Sequence, residues 1–132
     1  MSRSEAIDSA GDFRDWLTRA FAKSGCFTAL VVLVEIAGTR VTPLCSTFFH
    51  VIGNEIEWSD IVDMFHGSGR QWDGAAFFPT TAADGGPLDN ASARMKLRDL
   101  EGRLDHDRLV LNEGHFFDKW GRRMKIEEVT TQ

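Results

Sequence analysis

Asp60, Asp63 and His66 stand three residues apart in succession, and Asp73 follows one short turn later. On a helix, that spacing sets carboxylates and an imidazole on neighbouring turns of one slowly drifting side, the arrangement used for metal ligation or acid–base work. The helix that would carry them is short, because Gly67-Ser68-Gly69 follows at once. The simpler reading is a row of solvent-facing acids on the polar side of an amphipathic helix, and no bound metal or cofactor is expected. If the chain is an enzyme, Asp63, His66 and Asp73 are its candidate catalytic groups and Arg70 the cation beside them. A small enzyme of hydrolase type, with its polar site in the 60–90 loops, is therefore the alternative reading of function.

The glycines at 67–74 invite three templates, and each lacks a residue its chemistry requires. A phosphate loop needs Lys and a hydroxyl residue after its last glycine, but Gly74 is followed by Ala75-Ala76. A dinucleotide fingerprint opening at Gly67-Ser68-Gly69 needs glycine at position 72, where Trp72 stands. A serine-hydrolase elbow places its glycines two residues from the serine, whereas those beside Ser68 are adjacent. The amides of Gly67-Ser68-Gly69 with Arg70 could still form an anion nest, but the loop follows a helix C-terminus, where the dipole favours cations. A helix cap and turn is the better reading.

The four histidines, His50, His66, His106 and His115, show no metal-binding spacing. His115 with Glu113 and Asp118, or His106 between Asp105 and Asp107, would be acid–base pairs if folded together; an exposed helix-to-strand turn at 105–107 and a place beside a hairpin for His115 are expected instead. Arg94, Arg98 and Arg103, with Arg122, Arg123 and Lys125, are the nearest approach to a basic surface. Arg98 has Glu101 available on its own helix, and Lys125 alternates with Glu127. The net charge is −5, and nucleic-acid affinity rests on Lys and Arg neutralising phosphates. Nucleic acid is not an expected partner.

Aromatic content is the real surplus: ten Phe and four Trp in 132 residues. Phe48-Phe49, Phe77-Phe78 and Phe116-Phe117 are adjacent pairs, and neighbours on an extended chain point to opposite faces. Either one Phe of each pair leaves the core for a pocket or subunit interface, or both sheet faces are covered. The first case makes Trp58, Arg70, Trp72, Phe77 and Phe78 the ligand-binding set. The chain then reads as a non-enzymatic binding or protein-interaction module using an aromatic-rich surface around residues 58–90. A homodimer or another protein is the expected partner, and a small-molecule ligand is compatible with the same surface.

The elements that must position these groups follow from periodicity. Phe13, Trp16, Leu17, Ala20 and Phe21 mark one face of a helix from Ala10 to Lys23, with Ser9 and Asp12 as a capping box and Gly25 as the stop. Residues 26–36, CFTALVVLVEI, are apolar at both parities and form the central strand. A turn at 37–40 returns the chain as an extended segment from Val41 to Val51, whose Pro43 belongs at an edge or a bulge. A hairpin centred between Gly38 and Thr39 puts Cys45 opposite Val32 and Cys26 opposite Val51, on the order of 20 Å apart at strand rise, so both thiols are free.

Further on, Trp58 to Phe65 is a short helix capped by Ser59, with Ile61, Val62 and Phe65 inward. Gly74 to Thr80 is a short buried strand that Pro79 keeps from being central along its whole length. Asp89 or Asn90 caps a third helix with the apolar stripe Ala93, Leu97, Leu100 and Leu104. Arg108 to Val129 alternates weakly, as a small meander would. The expected fold is α+β: a single domain over residues 9–132, after a flexible 1–8 segment, with a mainly antiparallel twisted sheet, two main helices packed on it and one short helix. The N-terminal residues lack the apolar run of a signal peptide and no apolar stretch is long enough to span a membrane, so a cytoplasmic setting without membrane contact is expected.

Overall fold

The computed structural model describes residues 2–38, 40–53, 56–69 and 71–124. In chain order they form α1 (Ser2–Ser24), β1 (Phe27–Ala37), β2 (Arg40–Val51), α2 (Trp58–His66), β3 (Gly74–Thr80), α3 (Asn90–His106), a 3-10 helix (Arg108–Glu113) and β4 (His115–Asp118). The strands make one antiparallel sheet in the order β2-β1-β3-β4. Helices pack on the sheet, and the chain is a single-domain α+β fold, as its periodicity implies.

β1 is central because its side chains are apolar on both faces. Phe27, Ala29, Val31 and Leu33 join one core with Phe13, Trp16 and Leu17 of α1 and Trp58, Ile61 and Phe65 of α2. Leu30, Val32 and Val34 join a second core with Leu100 and Leu104 of α3 and with Val110 and Leu111. The paired phenylalanines divide between them: Phe49, Phe77 and Phe117 pack in the first core, and Phe48, Phe78 and Phe116 in the second. Double coverage of the sheet is thus what the Phe pairs record, and it corrects the expectation of an exposed aromatic surface around residues 58–90. Trp58, Trp72 and Phe77 are 7%, 5% and 0% exposed.

Several boundaries differ from the sequence-based expectations, each for a local reason. α1 begins at Ser2, so positions 9 and 12 lie within the helix and not at its start. The Asp12 carboxylate instead accepts the Arg123 amide at 2.8 Å. α2 is capped by Glu57 rather than Ser59, with the Asp60 carboxylate accepting the Glu57 amide at 3.1 Å. Asp89 caps α3, its carboxylate receiving the Ser92 hydroxyl at 2.6 Å and the Ser92 amide at 3.2 Å. Those bonds favour the ionised form and hold the Asp89 pKa below the ordinary carboxylate range.

The alternation at residues 108–113 belongs to a 3-10 helix, not a strand. It starts where the Asp107 carboxylate accepts the Leu109 amide at 2.9 Å. Beyond β4 the chain doubles back, with Arg123 bridging Phe117 and the Met124 amide donating to the Phe116 carbonyl. The rest of the expected meander, with Lys125 and Glu127, lies outside the described residues.

The hairpin register follows expectation only near its tip. Val34 faces Pro43 and Ile36 faces Val41, but Leu33 faces Cys45, Val31 faces Thr47 and Phe27 faces Val51. Leu44 is the extra residue of a bulge beside Pro43, and it shifts every later pair by one. Both cysteines are free, and Cys26 donates through Sγ to the Ile52 carbonyl. Pro79 lies opposite Ala29, and β4 pairs only with Gly74–Phe77, so the strand is flanked on one side alone where proline stands.

Candidate functional site

The groups singled out between residues 58 and 90 divide: Trp58, Trp72 and Phe77 gather in the buried core, and the polar groups do not join them. Asp63 and His66 are exposed on α2. Asp73 is committed to the backbone of β1: its amide donates to the Val34 carbonyl at 2.8 Å and its Oδ2 accepts the Ile36 amide at 2.7 Å. Arg70 lies outside the described residues. Trp58 donates Nε1–H to the Lys119 carbonyl at 2.8 Å, and Phe65 and Trp72 meet edge to face at 5.0 Å. Phe78 alone of the aromatic set is partly exposed, packed against the α3-side core. Among the described residues no three of His, Cys, Asp and Glu gather as metal ligands would.

The turn after α2 uses its amides internally. Gly67, Ser68 and Gly69 donate to the carbonyls of Met64, Phe65 and His66, and Gly69 takes a φ of 73° that only glycine adopts without strain. These amides are therefore engaged in a helix cap and not gathered into a nest.

The remaining histidines are also accounted for. His106 Nδ1 lies 3.0 Å from the Gly102 carbonyl, so it donates within α3. His115 meets Trp16 at 5.3 Å between ring centroids and Arg123 at 3.2 Å, not the two acids near it in sequence. Glu113 pairs with Arg103 at 3.0 Å and Asp118 with Arg122 at 2.8 Å. Burial first, and the Arg123 charge second, lower the His115 pKa.

His50 is the one that sequence reasoning left without a role. Its Nδ1 is 2.9 Å from Thr28 Oγ1 and its Nε2 2.8 Å from Asn90 Oδ1. The amide oxygen only accepts, so Nε2 carries the proton and Nδ1 receives the Thr28 hydroxyl. The Leu88 amide donates to that same hydroxyl oxygen at 2.9 Å. The chain of bonds has the order of a hydroxyl, an imidazole and an orienting amide, but Thr28 is 0% exposed and no substrate reaches it. Its physical work is to tie the returning 81–89 loop and the start of α3 to the first two strands.

A different feature is open: the outer edge of β2. Because Val34 and Ile36 turn backbone groups to the Asp73 side, alternation along an antiparallel ladder gives the odd-numbered residues of β1 to β2. Val31 then engages Thr47 and Ala29 engages Phe49, and the backbone groups of Ser46 and Phe48 point away from the sheet. Among the described residues no backbone partner meets them. Residues 41–49, VTPLCSTFF, contain no charge. The strand lies between two clefts, one of about 420 Å³ bounded by Pro43, Leu44, Glu101 and Asp105, the other of about 330 Å³ bounded by Thr47, Met64, Gly67 and Ser68.

Comparison of the chain with protein-family models, with characterised proteins and with solved structures found no match.

Proposed function

We propose that this chain is a non-enzymatic protein-interaction module that takes its partner by strand addition at the outer edge of β2. The observation that carries the reading is the uncharged stretch 41–49 on an edge strand, with Ser46 and Phe48 presenting backbone groups to the outside. Edge strands are ordinarily blunted by inward-pointing charges, lysines, proline or a bulge, because an open ladder templates pairing with another chain. Here Pro43 and the bulge at Leu44 guard the tip alone, leaving the regular length from Cys45 to Phe49 available. The interaction surface expected from the aromatic surplus thus moves from the buried cluster at Trp58, Trp72 and Phe77 to the strand that carries Phe48 and Phe49.

Partners of this site are extended protein segments, whether from a second copy or from another chain. A polyanion does not suit an uncharged strand on an acidic protein. Among the described residues no helix is long and apolar enough to cross a membrane, and the free thiols accord with a reducing, cytoplasmic setting. The enzymatic alternative draws no support from Asp63 and His66, which are exposed on α2, or from Asp73, whose carboxylate is engaged by the Ile36 amide.

Random extended peptides displayed on phage test the reading. Selected binders should hold the native protein and Ser46→Ala alike, and should lose about tenfold in affinity for Ser46→Pro, which deletes one outward amide. Binders indifferent to Ser46→Pro would remove β2 as the site.

A further inference from the structure

We infer that the partner at this edge is a second copy of the same chain, joined by antiparallel pairing of β2 with β2 about a two-fold axis at Thr47. The inference rests on the strand-addition reading. Its own support is a charge pattern on α3. That helix runs antiparallel to β2, since Asn90 meets His50 and Glu101 accepts the Ser46 hydroxyl. At 3.6 residues per turn, Glu101, Arg94, Asp105 and Arg98 lie within an arc of roughly 60° on the side toward the open edge. All four are exposed, and among the described residues none takes part in an ion pair. In particular, Arg98 and Glu101 do not pair along the helix.

The row is basic in its first half and acidic in its second, so it complements itself when reversed. A two-fold axis sets Arg94 against the partner's Asp105 and Arg98 against the partner's Glu101. Both pairings share one midpoint, between Asp99 and Leu100. At a rise of about 1.5 Å per residue that level is roughly 2 Å from Glu101 toward the helix start, less than one strand residue from Ser46 on the side of Thr47. Strand register obeys a separate condition: residues paired across such an axis must point to the same face, so a residue of β2 meets its own copy. Thr47 against Thr47 satisfies both.

The spacing agrees as well. α3 lies over β1 and β2, so an axis half a strand spacing beyond β2 places the two copies of α3 on the order of 10 Å apart, the ordinary distance for packed helices. On the opposite face, Met64 is 37% exposed and shares a cleft with Thr47, so the two copies of Met64 approach across the axis. The dimer thus joins the two sheets into one, with a charged seam on one face and an apolar contact on the other.

Sedimentation velocity over a range of concentrations reads the assembly. The native chain should be a dimer. Arg94→Glu and Asp105→Arg should each weaken it about fivefold to tenfold by setting like charges opposite one another twice per dimer. The double exchange R94E/D105R should restore it, with circular dichroism unchanged throughout. In a Cys26→Ser/Cys45→Ser background, Thr47→Cys should form an interchain disulfide, because a pair without mutual backbone bonds has Cα atoms about 4.5 Å apart. A dimer that neither responds to the exchange nor crosslinks at position 47 overturns this geometry. A monomer at every concentration that still selects edge-dependent peptides overturns the second copy and leaves strand addition standing. A monomer that selects none overturns both.

Discussion

Phe77→Ala is expected to lower the unfolding free energy by about 3–5 kcal/mol, the range for removing a fully buried aromatic side chain. The ring is 0% exposed and sits at the middle of the core on the α1 and α2 face. It meets Phe13 at 5.4 Å, Trp16 at 5.6 Å and Phe117 at 5.6 Å between ring centroids, with Phe49, Trp58 and Phe65 slightly farther out. Helices from two parts of the chain and three strands therefore lose a common contact. For a domain whose whole stability is on the order of 5–15 kcal/mol, that is a large share. Urea unfolding followed by tryptophan fluorescence measures it, since Trp16 and Trp58 report from the same cluster. Phe78→Ala, at a partly exposed position facing α3, should cost clearly less. Equal losses at 77 and 78 would contradict the division of the two rings between a sealed core and a partly open one.

The second large effect concerns a polar group. Thr28→Val keeps the shape of the side chain and removes the hydroxyl that receives the Leu88 amide and donates to His50. A buried amide left without a partner costs about 1–3 kcal/mol, and the loss of the His50 bond adds to it. Thr28→Ser keeps both bonds and loses only a methyl group, so it should retain most of the stability. Calorimetry of the two variants checks this, together with amide exchange at Leu88, which should accelerate in Thr28→Val alone. If Val and Ser at position 28 prove equally stable, the bonds to Leu88 and His50 do not hold the loop.

Much of the architecture was legible because it depends on simple alternation. Apolar residues at both parities from Phe27 to Val34 required a strand covered on two sides, and the three Phe pairs carried the same message. Pro43 was readable as an edge or bulge marker for the physical reason that it lacks an amide. The position of the extra residue was not readable, because Leu44 looks like any apolar strand residue. That single residue hid the polar network as well: without the bulge, Thr28 stands opposite Phe49, and with it, opposite His50. The 3-10 helix at 108–113 was not readable for a related reason, since it buries Val110 and Leu111 in a pattern that a strand would also produce.

The site was less legible than the fold. Trp58, Trp72 and Phe77 drew attention because aromatic residues so close together could make a binding surface, yet the same chemistry makes the best core. Asp73 carried the chemistry of a catalytic carboxylate but serves as a cap for β1. The edge of β2 carried the opposite kind of signal, an absence of charge from Val41 to Phe49, which becomes meaningful only once the topology shows that no strand among the described residues covers it. The complementary row on α3 was present in the sequence as Arg94, Arg98, Glu101 and Asp105. Its side toward the edge was fixed by the contact of Glu101 with Ser46.

Residue-resolved amide exchange along β2 in the assembled protein tests strand addition most directly. Thr47 and Phe49 are bonded to β1 in any case and should exchange slowly. With a partner on the edge, the outward amides of Ser46 and Phe48 should be protected to the same degree as those neighbours, giving slow exchange at every position from 46 to 49. An alternating pattern that persists in the assembled state, with Ser46 and Phe48 exchanging at the rate of open chain, would contradict strand addition at this edge.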